Sequence, residues 1–271
     1  MIRIVLGVAV VYLLAIALLA GCQRRFIYHP DPTRPAPGDY GVADMRVVAM
    51  TTSDHLELVA WWRPPLRDNA PVLVYFHGNA GHLGNRASKV RPYLDAGWGV
   101  LLTSWRGYSG NPGSPTEQGL YTDARAAMAF LAEHGVSEEN TVLYGESLGS
   151  GVAVQMAFET GKPFRALVLE APYTSITDIA GRRFPFVPTR WLVYDRFDSK
   201  AKITNINLPV LVVHGERDGV IPVQFGRALF DAANQPKAAK FLSGAGHNDL
   251  YEHGAAQLIL DFIDNIPKKI R

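Results

Sequence analysis

The chain has 271 residues, 48% of them hydrophobic and 19% charged, which is enough to bury a sizeable core as one large domain or two small ones. Formal net charge is only +2, and no basic run interleaved with aromatics marks a nucleic-acid groove, so nucleic acid is not an expected partner. A single cysteine rules out any intramolecular disulfide framework.

The amino-terminal stretch "MIRIVLGVAVVYLLAIALLAGC" joins a weakly positive start at Arg3 to an uncharged apolar run from Ile4 to Ala20, then small residues before Cys22. This is the make-up of a targeting segment. Its end, "LAGC" (Leu19 to Cys22), resembles the lipobox of bacterial lipoproteins. The resemblance implies cleavage before Cys22 and a diacylglyceryl group in thioether linkage on its sulfur. With Gln23 in place of Asp, it also implies outer-membrane sorting in a Gram-negative cell. The other reading is an uncleaved single-pass anchor, since the run sits at the lower limit for a spanning helix and Arg24 and Arg25 suit the headgroups. Both readings put the chain at a cell-envelope membrane. Residues 1–21 are then signal or anchor, the Pro-rich 22–40 a lead-in linker, and 41–271 the catalytic domain.

Within that domain, "MRVVAMTTSDHLELVAWWRPP" (45–65) shows two β-rich runs on either side of a turn, the pattern of an antiparallel hairpin. The next strands differ. "APVLVYFHGN", "GVLLTSWRGY", "TVLYGES", "FRALVLEAP" and "LPVLVVHGERD" are short apolar runs without polar alternation, as in strands covered on both faces. Helical stretches fall between them, at Arg86 to Ala96, Thr116 to His134, Leu148 to Thr160 and Val223 to Ala233. Alternating strands and helices predict an α/β fold with a mostly parallel, doubly wound sheet, whose ligands sit beyond the carboxyl ends of the strands. The region 173–207 breaks this rhythm with prolines, aromatics and arginines, and reads either as a small lid-like cap or as a packed excursion without a substrate role.

Three strand ends carry the chemistry. In "YGESLGS", Ser147 stands between Gly145 and Gly149 where a strand gives way to a helix, the setting of a nucleophile on a sharp turn. A serine hydroxyl needs a base oriented by a carboxylate. Asp218 follows the strand "LVVHG", and His247 lies in the Gly-rich loop "GAGHNDL" before the final helix, so the chain order is Ser, Asp, His. Other histidines fit less well: His253 is placed in the last helix, and His77 and His214 precede glycine in turn-forming or supporting positions. Asp178, Asp195 and Asp198 fall in the excursion, Asp249 lies two residues past His247, and Glu146 reads as a support beside the serine. A tetrahedral oxyanion would take one donor from the backbone N–H of Leu148 at the helix start and a second from Asn79, or failing that Ala80, in "HGNAG". That loop lacks the lysine of a phosphate-binding P-loop.

From about Phe26 to the carboxyl terminus, the stretches "FIYHP", "VLVYFHGNAG", "RGYSGNPGSPTEQGLYTDARAA", "GESLGSGVAV", "LEAPYTS", "VVHGERDGVIP" and "GAGHNDL" resemble the α/β-hydrolase superfamily, in its Bem46-like branch near the serine aminopeptidase-like group. The resemblance implies Ser147 as nucleophile, Asp218 as acid, His247 as base and Asn79 with Leu148 as oxyanion hole. It implies no metal or organic cofactor. Where many relatives carry an acidic or amide residue and a further glycine around "RGY", this chain has Ser104 and Ser109. The expected activity is hydrolysis of carboxylic esters or thioesters, acyl-chain substrates included, through an acyl-enzyme. An amidase or peptidase, an acyltransferase using the same intermediate, and a non-catalytic envelope scaffold are the other readings.

Overall fold

The computed structural model describes residues 1–267. It begins with α1 (Ile2–Ile27) and the two-residue strand β1 (His29–Pro30). The predicted hairpin follows as β2 (Arg46–Thr51) and β3 (Glu57–Arg63), then β4 (Val72–Phe76), β5 (Ala80–Gly81), α2 (Ala87–Asp95), β6 (Gly99–Leu102) and α3 (Glu117–Glu133). The central unit is β7 (Thr141–Glu146), α4 (Leu148–Thr160) and β8 (Ala166–Glu170). Three short helices, α5 (Ile176–Arg183), α6 (Thr189–Leu192) and α7 (Ser199–Ile203), make up the excursion. The chain then adds β9 (Val210–Gly215), α8 (Val223–Ala232), β10 (Lys237–Leu242) and α9 (Ala255–Asp264).

Among the described residues one large sheet has the order β10-β9-β8-β7-β4-β6-β3-β2, parallel except where β3 pairs with β2 and with β6. This is the α/β-hydrolase arrangement expected from the sequence. Alternate residues of each parallel strand feed two separate cores. Val72, Val74, Phe76, Leu143, Leu167 and Val212 pack with α3, α4 and α8. Leu73, Tyr75, Tyr144, Val168 and Val213 pack with α2 and α9 on the other face. Burial on both sides is why these strands read as unbroken apolar runs. Helix α4 is buried along most of its length, which explains its lack of a polar face.

Two details depart from the sequence reading. Strand β10 showed in the sequence only as a last apolar run ahead of His247, without bounds: "KAAKFL" carries two lysines and lies half-exposed at the sheet edge, so its apolar signal is short. His253 is not in the last helix, because Gly254 at φ 83° ends a turn and α9 starts only at Ala255.

The strand order reverses at β4, which has β6 on one side and β7 on the other. The connection after β4 runs to β6 and that after β7 to β8, on opposite sides, so the topological switch point of the sheet lies at their carboxyl ends. The lead-in to the domain is packed down rather than extended into solvent. Tyr28 is buried, His29 N–H donates to Asn79 O at 2.9 Å, Ser109 N–H donates to Asp31 O at 2.8 Å, and Arg34 donates to Gly110 O at 3.1 Å. β1 pairs in parallel with β5 in the loop after β4. Helix α1, about 39 Å long at 1.5 Å per residue, buries none of its residues; its most apolar 18-residue window has a mean hydropathy of 2.8, so by length and composition it can cross a bilayer.

Candidate active site

Ser147 occupies the step from β7 into α4 with φ 50° and ψ −116°, a backbone conformation that non-glycine residues rarely adopt. The turn is held by its neighbours. Ser147 N–H donates to Glu170 O at the end of β8, 2.8 Å away, and the Tyr173 hydroxyl donates to Leu148 O at 3.1 Å. Both flanking glycines are sterically required: a Cβ on Gly145 would stand 2.5 Å from Gly149 O, and one on Gly149 only 2.0 Å from Phe76 O. Because the obstacle at Gly149 is backbone, Gly149→Ala is expected to cost about 3 kcal/mol, the upper part of the overpacking range. Thermal unfolding of that variant checks it, and an unchanged midpoint would show that the turn yields.

His247 reaches both partners named with it. Its Nε2 lies 3.1 Å from Ser147 Oγ and its Nδ1 2.7 Å from Asp218 Oδ2. An ionised carboxylate only accepts, so Nδ1 carries the ring proton and Nε2 is left to accept from the serine. Asp218 is buried and its other oxygen takes the N–H groups of Val220 and Ile221, each at 2.8 Å. Burial pushes this carboxyl up, but hydrogen bonds from His214 and His247 and the Ile221 N–H outweigh it and hold it well below the usual carboxylate range. His214 is the supporting residue here: its Nε2 lies 2.8 Å from Ile221 O and 3.2 Å from Asp218 Oδ2.

Glu146, beside the nucleophile, is buried in a charged cluster that sequence reasoning found only in part. It accepts from Arg86 at 3.1 Å, Lys89 at 3.0 Å, the Tyr75 hydroxyl at 3.1 Å and Gly78 N–H at 3.3 Å. Lys89 also reaches Glu170 at 2.7 Å, and Arg86 donates to Ala80 O at 2.6 Å. Burial raises the Glu146 carboxyl, yet Lys89 and Arg86 overcome it and leave it well below its ordinary value. Arg86 and Lys89 stand at the start of α2 and Glu170 at the end of β8, far apart in sequence, so no local motif announces the cluster.

Both carboxyls are depressed on folding, so their stabilisation is fully present above the ordinary carboxylate range and is lost as pH falls through it toward the lowered values. The unfolding midpoint is therefore expected to hold level down to about pH 5 and to drop steeply below about pH 4. A pH series of thermal melts reads this directly; a midpoint flat to pH 3 would contradict it.

The loop after β4 lies against the turn. A Cβ on Gly78 would sit 3.5 Å from Ser147 Cβ. The next residue, Asn79, is held by its carbonyl, which accepts from His29 N–H and from the Tyr108 hydroxyl at 2.8 Å, and by its amide, which donates to Ile27 O at 3.0 Å. Leu148 opens α4, so its N–H is among those without an intrahelical acceptor. Ala80 belongs to β5. His77 is wholly buried, and burial with the nearby Arg86 pushes its ring down to about 3, so it stays neutral. Ser104 and Ser109 are buried and bonded to each other at 2.8 Å, with Ser109 Oγ accepting Leu83 N–H. They brace this loop from behind.

The remaining carboxylates lie apart from His247. Asp198 caps α7, Asp195 is buried against Arg24, Asp178 accepts from Thr174, and Asp249 accepts Gly246 N–H at 2.7 Å and faces His253. Cys22, a partly exposed free thiol, lies in the last turns of α1. Among the described residues no group of three or more His, Cys, Asp or Glu could hold a metal ion.

The chain matches the family model described as the alpha/beta hydrolase fold over residues 71–196. It is 32% identical over 270 residues to the protein bem46 of Schizosaccharomyces pombe, covering 93% of this chain and 89% of that one. It is 30% identical over 225 residues to the lysophosphatidylserine lipase ABHD12 of Danio rerio, covering 73% of this chain and 58% of that one. In three dimensions it is similar to the Pyrococcus furiosus esterase Pf2001, with a TM-score of 0.69 at 18% identity, covering 88% of this chain and 99% of that one.

Proposed function

The chain belongs to the Bem46-like α/β-hydrolase family, and on that premise we propose that it is a membrane-tethered serine hydrolase of carboxylic esters or thioesters. The observation that carries this reading is the unbroken hydrogen-bond chain from Ser147 Oγ through His247 to Asp218, with the serine on a strained turn at the carboxyl edge of the sheet. A related lipase by name supports an ester of lipid character.

In this mechanism Ser147 Oγ attacks the carbonyl carbon while His247 Nε2 takes its proton. Asp218 keeps the ring oriented and stabilises the imidazolium. The tetrahedral oxyanion points to the N–H groups of Leu148 and Asn79, where the amino end of α4 adds a favourable dipole. Collapse expels the alcohol or thiol, which takes the proton from His247 and leaves an acyl group on Ser147. A water then attacks that ester, losing its proton to His247, which returns it to Ser147 Oγ as the acid departs.

The test is fluorophosphonate labelling of the purified full chain, followed by hydrolysis of p-nitrophenyl esters from acetate to palmitate beside a thioester and an anilide of one acyl group. Labelling with turnover that rises with acyl length, and an anilide left largely uncut, is the expected result. A faster anilide would make the protein an amidase, and absent labelling would leave a scaffold on a hydrolase fold.

A further inference from the structure

Between β8 and β9, the excursion carries an outward face that the mechanism does not use. Phe184, Phe186 and Trp191 are exposed, Phe186 by 84% and Trp191 by 81%, which is unusual for side chains that large. Around them stand the exposed Arg182, Arg183 and Arg190, and no acidic residue occurs between Asp178 and Asp195. Aromatics beside arginines on one face are what a bilayer headgroup region selects, because the rings sit at the apolar boundary and guanidiniums reach the phosphates.

The position of α1 says what covers this face. Near its end, Gln23 bonds to the backbone of the excursion at Leu192 O (3.0 Å) and Tyr194 N–H (2.9 Å), and Arg24 pairs with buried Asp195 at 2.9 Å. Earlier in the helix, the Tyr12 hydroxyl donates to Phe186 O. Tyr12 and Gln23 are 11 residues apart, about 16 Å along the axis. The excursion thus lies against α1 between Tyr12 and Arg24, so a bilayer that takes up the helix meets the excursion as well.

We infer that the face formed by Phe184, Phe186 and Trp191 with Arg182, Arg183 and Arg190 seats in a bilayer surface rich in anionic phospholipid, alongside α1. The inference rests on the reading of the amino terminus as a membrane tether. If the chain is instead lipidated at Cys22, the acyl chains leave from the residue next to Gln23, which bonds to the excursion. The excursion's two ends tie the face to the nucleophile: Tyr173 bonds to Leu148 O, and Phe197 packs against Gly151 in α4.

Trp191 is a built-in reporter, because Trp61, Trp62, Trp98 and Trp105 are all buried in the core. The full chain is reconstituted into phosphatidylcholine vesicles with or without phosphatidylglycerol, using lipids brominated in the acyl chain. The expected result is fluorescence quenching that is absent in Trp191→Phe, stronger with phosphatidylglycerol, and reduced to the phosphatidylcholine level by Arg182→Gln/Arg183→Gln/Arg190→Gln. Protein that floats with the vesicles yet shows no Trp191-dependent quenching overturns the inference and assigns the face to a protein partner. Quenching that is equal in both lipids and indifferent to the triple variant overturns the anionic selection. Flotation tests the tether, quenching the face, and fluorophosphonate labelling the catalytic reading, so each fails separately.

Discussion

Replacing Ser147 with Ala is expected to abolish fluorophosphonate labelling and to lower ester kcat/KM by about 10⁴-fold or more. The hydroxyl is the group on the turn that would form the acyl bond, and among the described residues His247 Nε2, at 3.1 Å, is the base hydrogen-bonded to it. His247→Ala alone is expected to cost a similar factor, and the double variant little more than either, because the two act as one unit. Asp218→Asn tests orientation rather than charge removal alone: the amide presents an N–H to the ring and favours the wrong tautomer. Melting temperature should change little in Ser147→Ala, so lost activity cannot be blamed on unfolding. Persistent labelling of Ser147→Ala would remove the serine from the mechanism.

Glu146→Gln is expected to destabilise the fold by about 3–5 kcal/mol, the cost of breaking a buried ion pair from one side. At this chain length that is a fall of roughly 10 °C in the unfolding midpoint. Glutamine keeps an oxygen to accept from Gly78 N–H and Tyr75, while its NH2 replaces the oxygen that accepted from Lys89, so the change removes the charge and one acceptor. Lys89 retains Glu170, which leaves Arg86 as the unpaired cation. Adding Arg86→Met should therefore recover part of the loss, a coupling that a double-mutant cycle measures. A fall of under about 2 °C in the single variant would show that the cluster does not depend on this carboxylate.

The order and extent of the central elements were legible because parallel strands covered on both faces leave apolar runs bounded by turn residues. Helix α4 matched its predicted limits, since Ser147 and Gly161 punctuate it from both sides. Ser147, Asp218 and His247 were legible for a related reason: each stands at a strand end, where sequence position fixes spatial position. Edge strand β10 was legible only in part, as a last apolar run without bounds, because a half-exposed strand studded with lysine carries little apolar signal. The Arg86, Lys89 and Glu170 cluster was also hidden, since its members meet only when α2 packs over β7 and β8. In the excursion, composition revealed the aromatics and arginines but not the short helices, whose few residues give no period to read.

The hydrogen bonds that pin residues 27 to 34 onto the loops after β4 and β6 change what kind of leash the amino terminus is. A free segment of 19 residues, 22–40, would let the body wander about 25 Å from its point of attachment. Where α1 holds the chain in a bilayer, as proposed, a body fastened in this way keeps a fixed height and orientation over that leaflet. On that reading the molecule searches in two dimensions, meeting first what drifts beneath it in its own leaflet.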